Sequence, residues 1–316
     1  MGHIGGNRNY GYGKQLAWAG KNALADRYGQ GHFSTRATHE DRWNQFAGFL
    51  KSEGINDARK IDRNILEQYG QHLKTMVNSE EISVAYAQNL LSTINVVLET
   101  MRKDKALTIK PAQWTGNRSN VRSTVPATVH RHVLTVPTVQ LRQNGQERVA
   151  VIAQLAREFG LRFKEASLLD ANRAIRQANR LGRINITQGT KGGRGKGSDR
   201  WVPINANNLT VLKRAAELQN NERNLIPSNM NYVQWRDHAY NQWRGATKGT
   251  AINGFHDMRA AYACERYQAL TGHPAPVIAG VRQAEKTLDT QARTIISQEL
   301  GHNRPDVIAA YVGSGK

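Results

Sequence analysis

The sequence predicts a mainly helical α+β chain of two domains. The first is all helical; the second is mixed α/β with a small antiparallel sheet. Three observations lead there. The first hundred residues carry apolar stripes at helical spacing and no alternating run. Short alternating segments occur only later, around Ile184 and Trp201. And 316 residues exceed the ~100–200 of a usual single domain.

The elements follow in order. Residues 1–13 contain five glycines and few apolar side chains, which predicts a flexible, mildly basic arm. A helix is expected from Lys14 to about Tyr28. Thr38, with Asp41 three residues on, reads as a capping box for a second helix, with Trp43, Phe46, Ala47 and Leu50 on one face. Asp62 caps a third, whose stripe is Ile65, Leu66, Tyr69, Leu73 and Met76. Ser83 caps a fourth, with Leu90, Leu91, Ile94, Val97, Leu98 and Met101. Each stripe needs a partner surface, so a helical domain over 14–110 is implied.

Residues 111–133 lack either periodicity and hold Pro111, Gly116, Arg118, Arg122, Pro126, His130 and Arg131, the pattern of a basic linker. The second domain then spans 134–316. Val149, Ile152, Ala156 and Phe159 mark a helix. Ile184 and Ile186 alternate as in a strand, Trp201, Val202 and Ile204 suggest another, and Gly189–Gly197 between them suggests a long hairpin loop. Beyond Asn207 the chain turns helical again. Trp43, Trp235 and Trp243 are expected in cores.

With 44 Lys+Arg against 25 Asp+Glu, the formal charge is +19, which points to a polyanionic partner. Nucleic acid is favoured over an anionic membrane: there is no long apolar run, no basic amphipathic helix with a clean apolar face, and no lipidation signal. Cys264 is the only cysteine, which excludes an intrachain disulfide and fits a reducing compartment. Without a secretory signal pattern, a cytoplasmic location is expected. His32, His39, His238 and His273 show no metal-ligand spacing, so neither metal nor other cofactor is expected.

Four segments of the second half carry the chemistry. They are Gly160-Leu161-Arg162 with Glu165 three residues on; Thr190-Lys191-Gly192-Gly193 before Trp201-Val202-Pro203-Ile204; His256-Asp257-Met258-Arg259; and Leu300-Gly301-His302 with Tyr311 nine residues later. In this order they resemble the tyrosine recombinase (phage integrase) superfamily over about 140–316. The helical first half is similar, less specifically, to that family's SAM-like core-binding domain. The resemblance implies a nucleophilic Tyr311, five residues from the C-terminus, with Arg162, Lys191, His256, Arg259 and His302 as its catalytic partners and Glu165 supporting Arg162.

The chemistry is consistent with these residue types. A phosphodiester resists attack until its anionic oxygens are neutralised. Two guanidiniums, Arg162 and Arg259, present planar donors and stay charged at any working pH. Populating a phenolate at pH 7 costs about 4 kcal/mol from a reference pKa of ~10, and His256 is the expected proton acceptor. Lys191 would protonate the leaving 5′ oxygen, with Lys196 as the rival hairpin lysine, and His302 would bond a non-bridging phosphate oxygen. Arg118, Arg122, Arg131, Arg194 and Lys196 are the expected DNA contacts.

By resemblance the partner is duplex DNA with inverted half-sites, bound as a homodimer and recombined as a homotetramer. A catalytically silent regulator of recombination and a type IB topoisomerase-like relaxing enzyme are the alternatives. Two features depart from the family pattern. Arg259 and His302 stand 43 residues apart, with an extra segment at roughly 271–290, read equally as a DNA- or protomer-contacting insertion and as a neutral surface loop. The sequence also runs only to Lys316, where many relatives add a helix that docks on a neighbouring subunit, so that particular contact is not expected from this segment.

Overall fold

Trp43 explains how the first helices find one another. The computed structural model describes residues 7–191 and 199–316, and its contacts divide the chain into two units, Met1–Ser119 and Asn120–Lys316. In the first unit α1 (Leu16–Tyr28), α2 (Phe33–Ser52), α3 (Arg63–Asn78), α4 (Val84–Arg102) and the short α5 (Pro111–Thr115) enclose one core. Trp43 is fully buried and donates its Nε1–H to the Leu16 carbonyl at 2.8 Å. The predicted stripes of α2, α3 and α4 all supply buried residues to this core. Asp62 and Ser83 start their helices as expected, accepting from the backbone N–H of Ile65 and Tyr86.

Three expectations for this half need correction. Helix α2 begins at Phe33, so Thr38 lies inside it; its hydroxyl donates back to the Ser34 carbonyl at 2.8 Å and caps nothing. The expected arm is fixed from residue 7 onward. Asn9 is buried, receives the Ala58 N–H on its Oδ1 at 2.7 Å and donates its own N–H to Asp57. Residues 1–6 lie outside the described residues. The expected linker is also partly structured: Pro111–Thr115 is helical and packs on α3 and α4, with Trp114 against Gly70.

The second unit contains α6 (Thr135–Gln143), α7 (Glu147–Phe159), α8 (Phe163–Ser167), α9 (Ala171–Leu181), β1 (Arg183–Asn185), β2 (Trp201–Pro203), α10 (Ala206–Gln219) and α11 (Tyr232–Ala246). It closes with α12 (Phe255–Thr271), α13 (Pro276–Ala279), α14 (Lys286–Glu299) and α15 (Ala309–Val312). Helix α7 is its axis, packing on α6, α10 and α12 through a face that includes Val149, Ile152, Ala156 and Phe159. The strands pair antiparallel, with Ile184 opposite Val202, both buried. The segment entering this unit is fastened early: Thr128 is buried and gives both its N–H and its hydroxyl to Asp257 of α12. Residues 111–133 are thus largely divided between the two units. Among the described residues no helix is long and apolar enough to cross a membrane.

Gly20 and Gly48 offer a matched test. A Cβ on Gly20 of α1 would lie 2.1 Å from the Trp43 indole, whereas one on Gly48 of α2 meets nothing within 4 Å. Gly20→Ala should cost about 1–3 kcal/mol by overpacking. Gly48→Ala should be neutral or stabilise by up to about 1 kcal/mol through helix propensity. Thermal unfolding of the full chain compares the two; equal behaviour would contradict the Trp43 packing.

Candidate active site

Gly160 sets the geometry. It ends α7 in the left-handed region at φ +60°, and a Cβ there would lie 2.6 Å from Tyr262 and 2.7 Å from Leu300. Three residues packed this tightly bring the end of α7, the side of α12 and the end of α14 together. The chain then turns into α8 with Arg162 at its N-cap and Glu165 in its first turn.

Glu165 is completely buried and gathers positive groups around it. Its Oε2 accepts the Arg162 backbone N–H at 2.7 Å, and its Oε1 accepts Arg162 Nη1 at 2.6 Å. Arg200 Nη1 stands 2.8 Å from Oε1, and Arg259 Nη1 stands 3.7 Å from Oε2. Burial by itself would raise this carboxyl's pKa. Arg200, Arg259 and Arg162 more than offset that and bring it to about 2, so the group is an anion at any working pH.

Helix α12 supplies His256 and Arg259 from its first turn. Arg259 is buried and donates to the carbonyls of Gly160 and Leu300. Its desolvation, then repulsion from Arg200, lowers its pKa to about 10, which still leaves it charged. Its Nε lies 3.3 Å from the Tyr311 hydroxyl and its Nη2 lies 3.3 Å from His302 Nε2. The hydroxyl in turn lies 2.9 Å from the same Nε2. A guanidinium can only donate, so Nε2 must be an acceptor and the imidazole proton belongs on Nδ1. The phenol then accepts from Arg259 and donates to His302. Burial first, then Arg259, Arg162 and Arg200, hold His302 down to about 4, which keeps it neutral for that role.

His256 occupies a different place. Its ring lies roughly parallel to Tyr311, 6.2 Å between centroids at 21°, and the hydrogen bond to the phenol comes from His302 instead. Desolvation of its inner face, followed by Arg259, Arg162 and Arg122, pushes its imidazole below the ordinary value. In this state the imidazole within hydrogen-bonding reach of the Tyr311 phenol is that of His302, while His256 meets the ring.

Tyr311 itself is buried on α15 and seated from behind. Gly313 follows at φ +89°, where a Cβ would lie 2.6 Å from the Val277 backbone nitrogen of α13. Arg293 of α14 donates to the Gly313 carbonyl at 3.1 Å and pairs with Asp289, and Arg282 donates to the Gly315 carbonyl at 2.9 Å. The extra segment at 271–290 thus packs on the tyrosine-bearing end of its own chain.

Sequence reasoning placed Arg162, Glu165, Arg259, His302 and Tyr311 in one cluster, and they are in one, with His256 beside it. None of the hydrogen bonds of that cluster involves Lys191, which is exposed on the hairpin. Arg194 and Lys196 lie outside the described residues. Arg118 is exposed. Two other expected DNA contacts carry ion pairs of their own: Arg122 pairs with buried Asp257 at 2.8 Å, and Arg131, 37% exposed, pairs with Glu158 and Glu265.

Two features went unnoticed in the sequence. Arg200, at the foot of β2, reaches the centre of the cluster. Arg173, Arg176 and Arg180 form an exposed stripe at i, i+3, i+7 along α9, a spacing that was there to be read. Among the described residues no group of three or more potential ligands is placed to hold a metal ion.

Residues 116–265 match the family model described as Integrase. Over that stretch, 150 of the 316 residues and just under half of the chain, the sequence is similar to the integrase family. The matched stretch takes in Arg162, Glu165, Lys191, Arg200, His256 and Arg259 and stops short of His302 and Tyr311. Two solved structures share its fold. One is the Tn1549 transposon integrase in complex with circular intermediate DNA, 11% identical, TM-score 0.54, covering 92% of this chain and 94% of that one. The other is its Y379F form in complex with transposon right end DNA, 10% identical, TM-score 0.56, with the same coverage. XerA recombinase aligns over 94% of this chain and 93% of that one at 13% identity, with a TM-score of 0.39. No curated protein matches the sequence.

The Glu165 carboxylate makes a pH prediction. Its folded pKa lies below the unfolded value of 4.5, so its stabilisation is complete above 4.5 and is lost as pH falls towards 2. That loss should amount to roughly 3 kcal/mol. Glu165→Gln should be less stable at pH 7 by about 3–5 kcal/mol, because it leaves three guanidiniums without their counter-charge. It should also lose less than wild type between pH 4.5 and 2. Urea unfolding over a pH series checks both, and parallel acid limbs would show that Glu165 is not the group responsible.

Proposed function

We propose that this chain is a site-specific DNA recombinase that cleaves and rejoins duplex DNA through a 3′-phosphotyrosine at Tyr311. The observation that carries this reading is the Tyr311 hydroxyl, set 3.3 Å from a buried guanidinium and 2.9 Å from a neutral imidazole. A phenol in that position can lose its proton to His302 while Arg259 stabilises the oxyanion.

In the proposed reaction a scissile phosphate enters beside Arg162, which is partly open to solvent, and displaces the phenol from part of its contact with Arg259 and His302. The tyrosine oxygen attacks phosphorus, its proton passing to a neighbouring imidazole. The bond from phosphorus to the 5′ oxygen breaks, and Lys191 protonates that oxygen as the hairpin closes. The phosphate stays on Tyr311 as a 3′ diester, so attack by a 5′ hydroxyl of another strand reverses the step without an external energy source. If His302 is the imidazole that took the proton, its Nε2–H can then donate to a phosphate oxygen.

The first unit is proposed as the core-binding DNA domain and the second, from Asn120 on, as the catalytic one. Binding to inverted half-sites as a dimer, and strand exchange in a tetramer, go with this reading. A task in integration or excision of a mobile element is supported by the shared fold with an integrase solved on transposon-end and circular-intermediate DNA. The exposed α9 arginines add a surface suited to backbone phosphates.

A nicked suicide substrate tests the chemistry. Wild type should become covalently trapped, and trapping should vanish in Tyr311→Phe while DNA binding persists; trapping that survives would move the nucleophile elsewhere. The α9 surface is tested by R173A/R176A/R180A, which should weaken duplex binding. Its log–log salt slope should become shallower by about 0.9 for each lost phosphate contact. An unchanged slope would mean that α9 faces away from DNA.

A further inference from the structure

Arg200 lies at the centre of the charged cluster but offers no surface to a phosphate, being only 4% exposed. Its donors are turned inward. Nε gives to the Glu299 carbonyl at 2.7 Å, Nη2 reaches the Gly160 carbonyl at 3.4 Å, and Nη1 stands 2.8 Å from Glu165 Oε1. Its backbone belongs to the hairpin: its carbonyl accepts the Ile186 N–H at 2.9 Å and its N–H donates to Asn185 Oδ1 at 3.0 Å. One side chain therefore touches the Gly160 turn, the Glu165 carboxylate and the end of α14, from the strand that closes the Lys191 loop. The Leu300-Gly301-His302 turn is fitted around it. A Cβ on Gly301, which sits at φ +66°, would lie 2.9 Å from Arg200 Cδ.

The sharing of Glu165 Oε1 has a geometric result. Arg162 and Arg200 both use that one oxygen, and the side-chain bond of Arg162 is made by Nη1. Without Arg200, Oε1 would have Arg162 as its one guanidinium partner, and the carboxylate could draw a second guanidinium nitrogen of Arg162 onto itself. Arg200 thus competes for the carboxylate and leaves the outer nitrogens of Arg162 for another anion.

We propose that Arg200 is a positioning residue: it fixes the foot of the hairpin to Glu165 and to the His302 turn, and by occupying Glu165 it keeps Arg162 and Arg259 aimed at the phosphate. This rests on the recombinase reading for the identity of that phosphate. A lysine at 200 keeps the charge but has no fork to span Glu165, Gly160 and Glu299 together.

The test compares wild type, R200K and R200M on the suicide substrate at saturating DNA. R200M should bind the half-site within about 3-fold of wild type yet cleave at least about 30-fold more slowly, with R200K between them. Loss of binding in parallel with cleavage, or wild-type cleavage by R200M, would overturn the inference. If R200M does not fold, R200K alone must show the split between binding and cleavage.

A second measurement needs no DNA. His302 faces Arg259 and Tyr311 directly, with Arg162, Glu165 and Arg200 as the other charges around it. Its imidazole, followed by NMR, should titrate closer to its ordinary range in R200M than in wild type and stay near wild type in R200K. An imidazole unmoved in R200M would also overturn the inference. Should wild type fail to trap on DNA, the recombinase reading falls, and this titration still judges Arg200.

Discussion

One buried carboxylate holds the site together. Glu165 is an anion with no access to water, a state that costs several kcal/mol unless opposite charge and hydrogen bonds compensate it. Three guanidiniums from three separate parts of the chain supply that compensation, from α8, from the foot of β2 and from α12. Each of them would repel the others if the carboxylate were absent. The dependence is mutual, and it ties the hairpin, the Gly160 turn and α12 into one arrangement. Three positive charges against one negative leave an excess of two.

A second constraint follows from that excess. An imidazole set among uncompensated guanidiniums cannot easily take a proton, and His302 is accordingly neutral well below its usual range. Neutrality lets one nitrogen accept from both Arg259 and the phenol. The oriented run from guanidinium to hydroxyl to imidazole is thus a product of the charge balance around Glu165, which keeps the histidine beside the tyrosine neutral.

Much of this was legible in the residues. The order Gly-Leu-Arg, His-x-x-Arg, Leu-Gly-His and a late tyrosine identified the members of the cluster, and Asp62 and Ser83 marked helix starts by their own chemistry. What escaped depended on partners distant in sequence. Arg122 and Arg131 read as free basic charge, yet Asp257 and Glu265, which pair with them, lie more than a hundred residues away, and Glu158, also paired with Arg131, lies 27 away. Arg200 stood between a glycine-rich loop and a short strand, with nothing local to mark it as buried. The Thr38 box failed because an apolar stripe locates the face of a helix, not its first residue. Helix α2 gained five residues ahead of Thr38 whose side chains bury little. Which of the two histidines bonds the phenol needed coordinates, since the sequence gives each the same residue type at a similar remove from charge.

The entry segment of the second unit has a mechanical consequence. Arg122 pairs with Asp257, which stands between His256 and Met258, and the Arg122 backbone N–H is bonded to the Ala309 carbonyl, two residues before Tyr311. Within three residues of the point where the second unit begins, the polypeptide is therefore riveted both to the helix that carries His256 and to the one that carries Tyr311, so any shift of the backbone at Arg122 bears on both side chains at once.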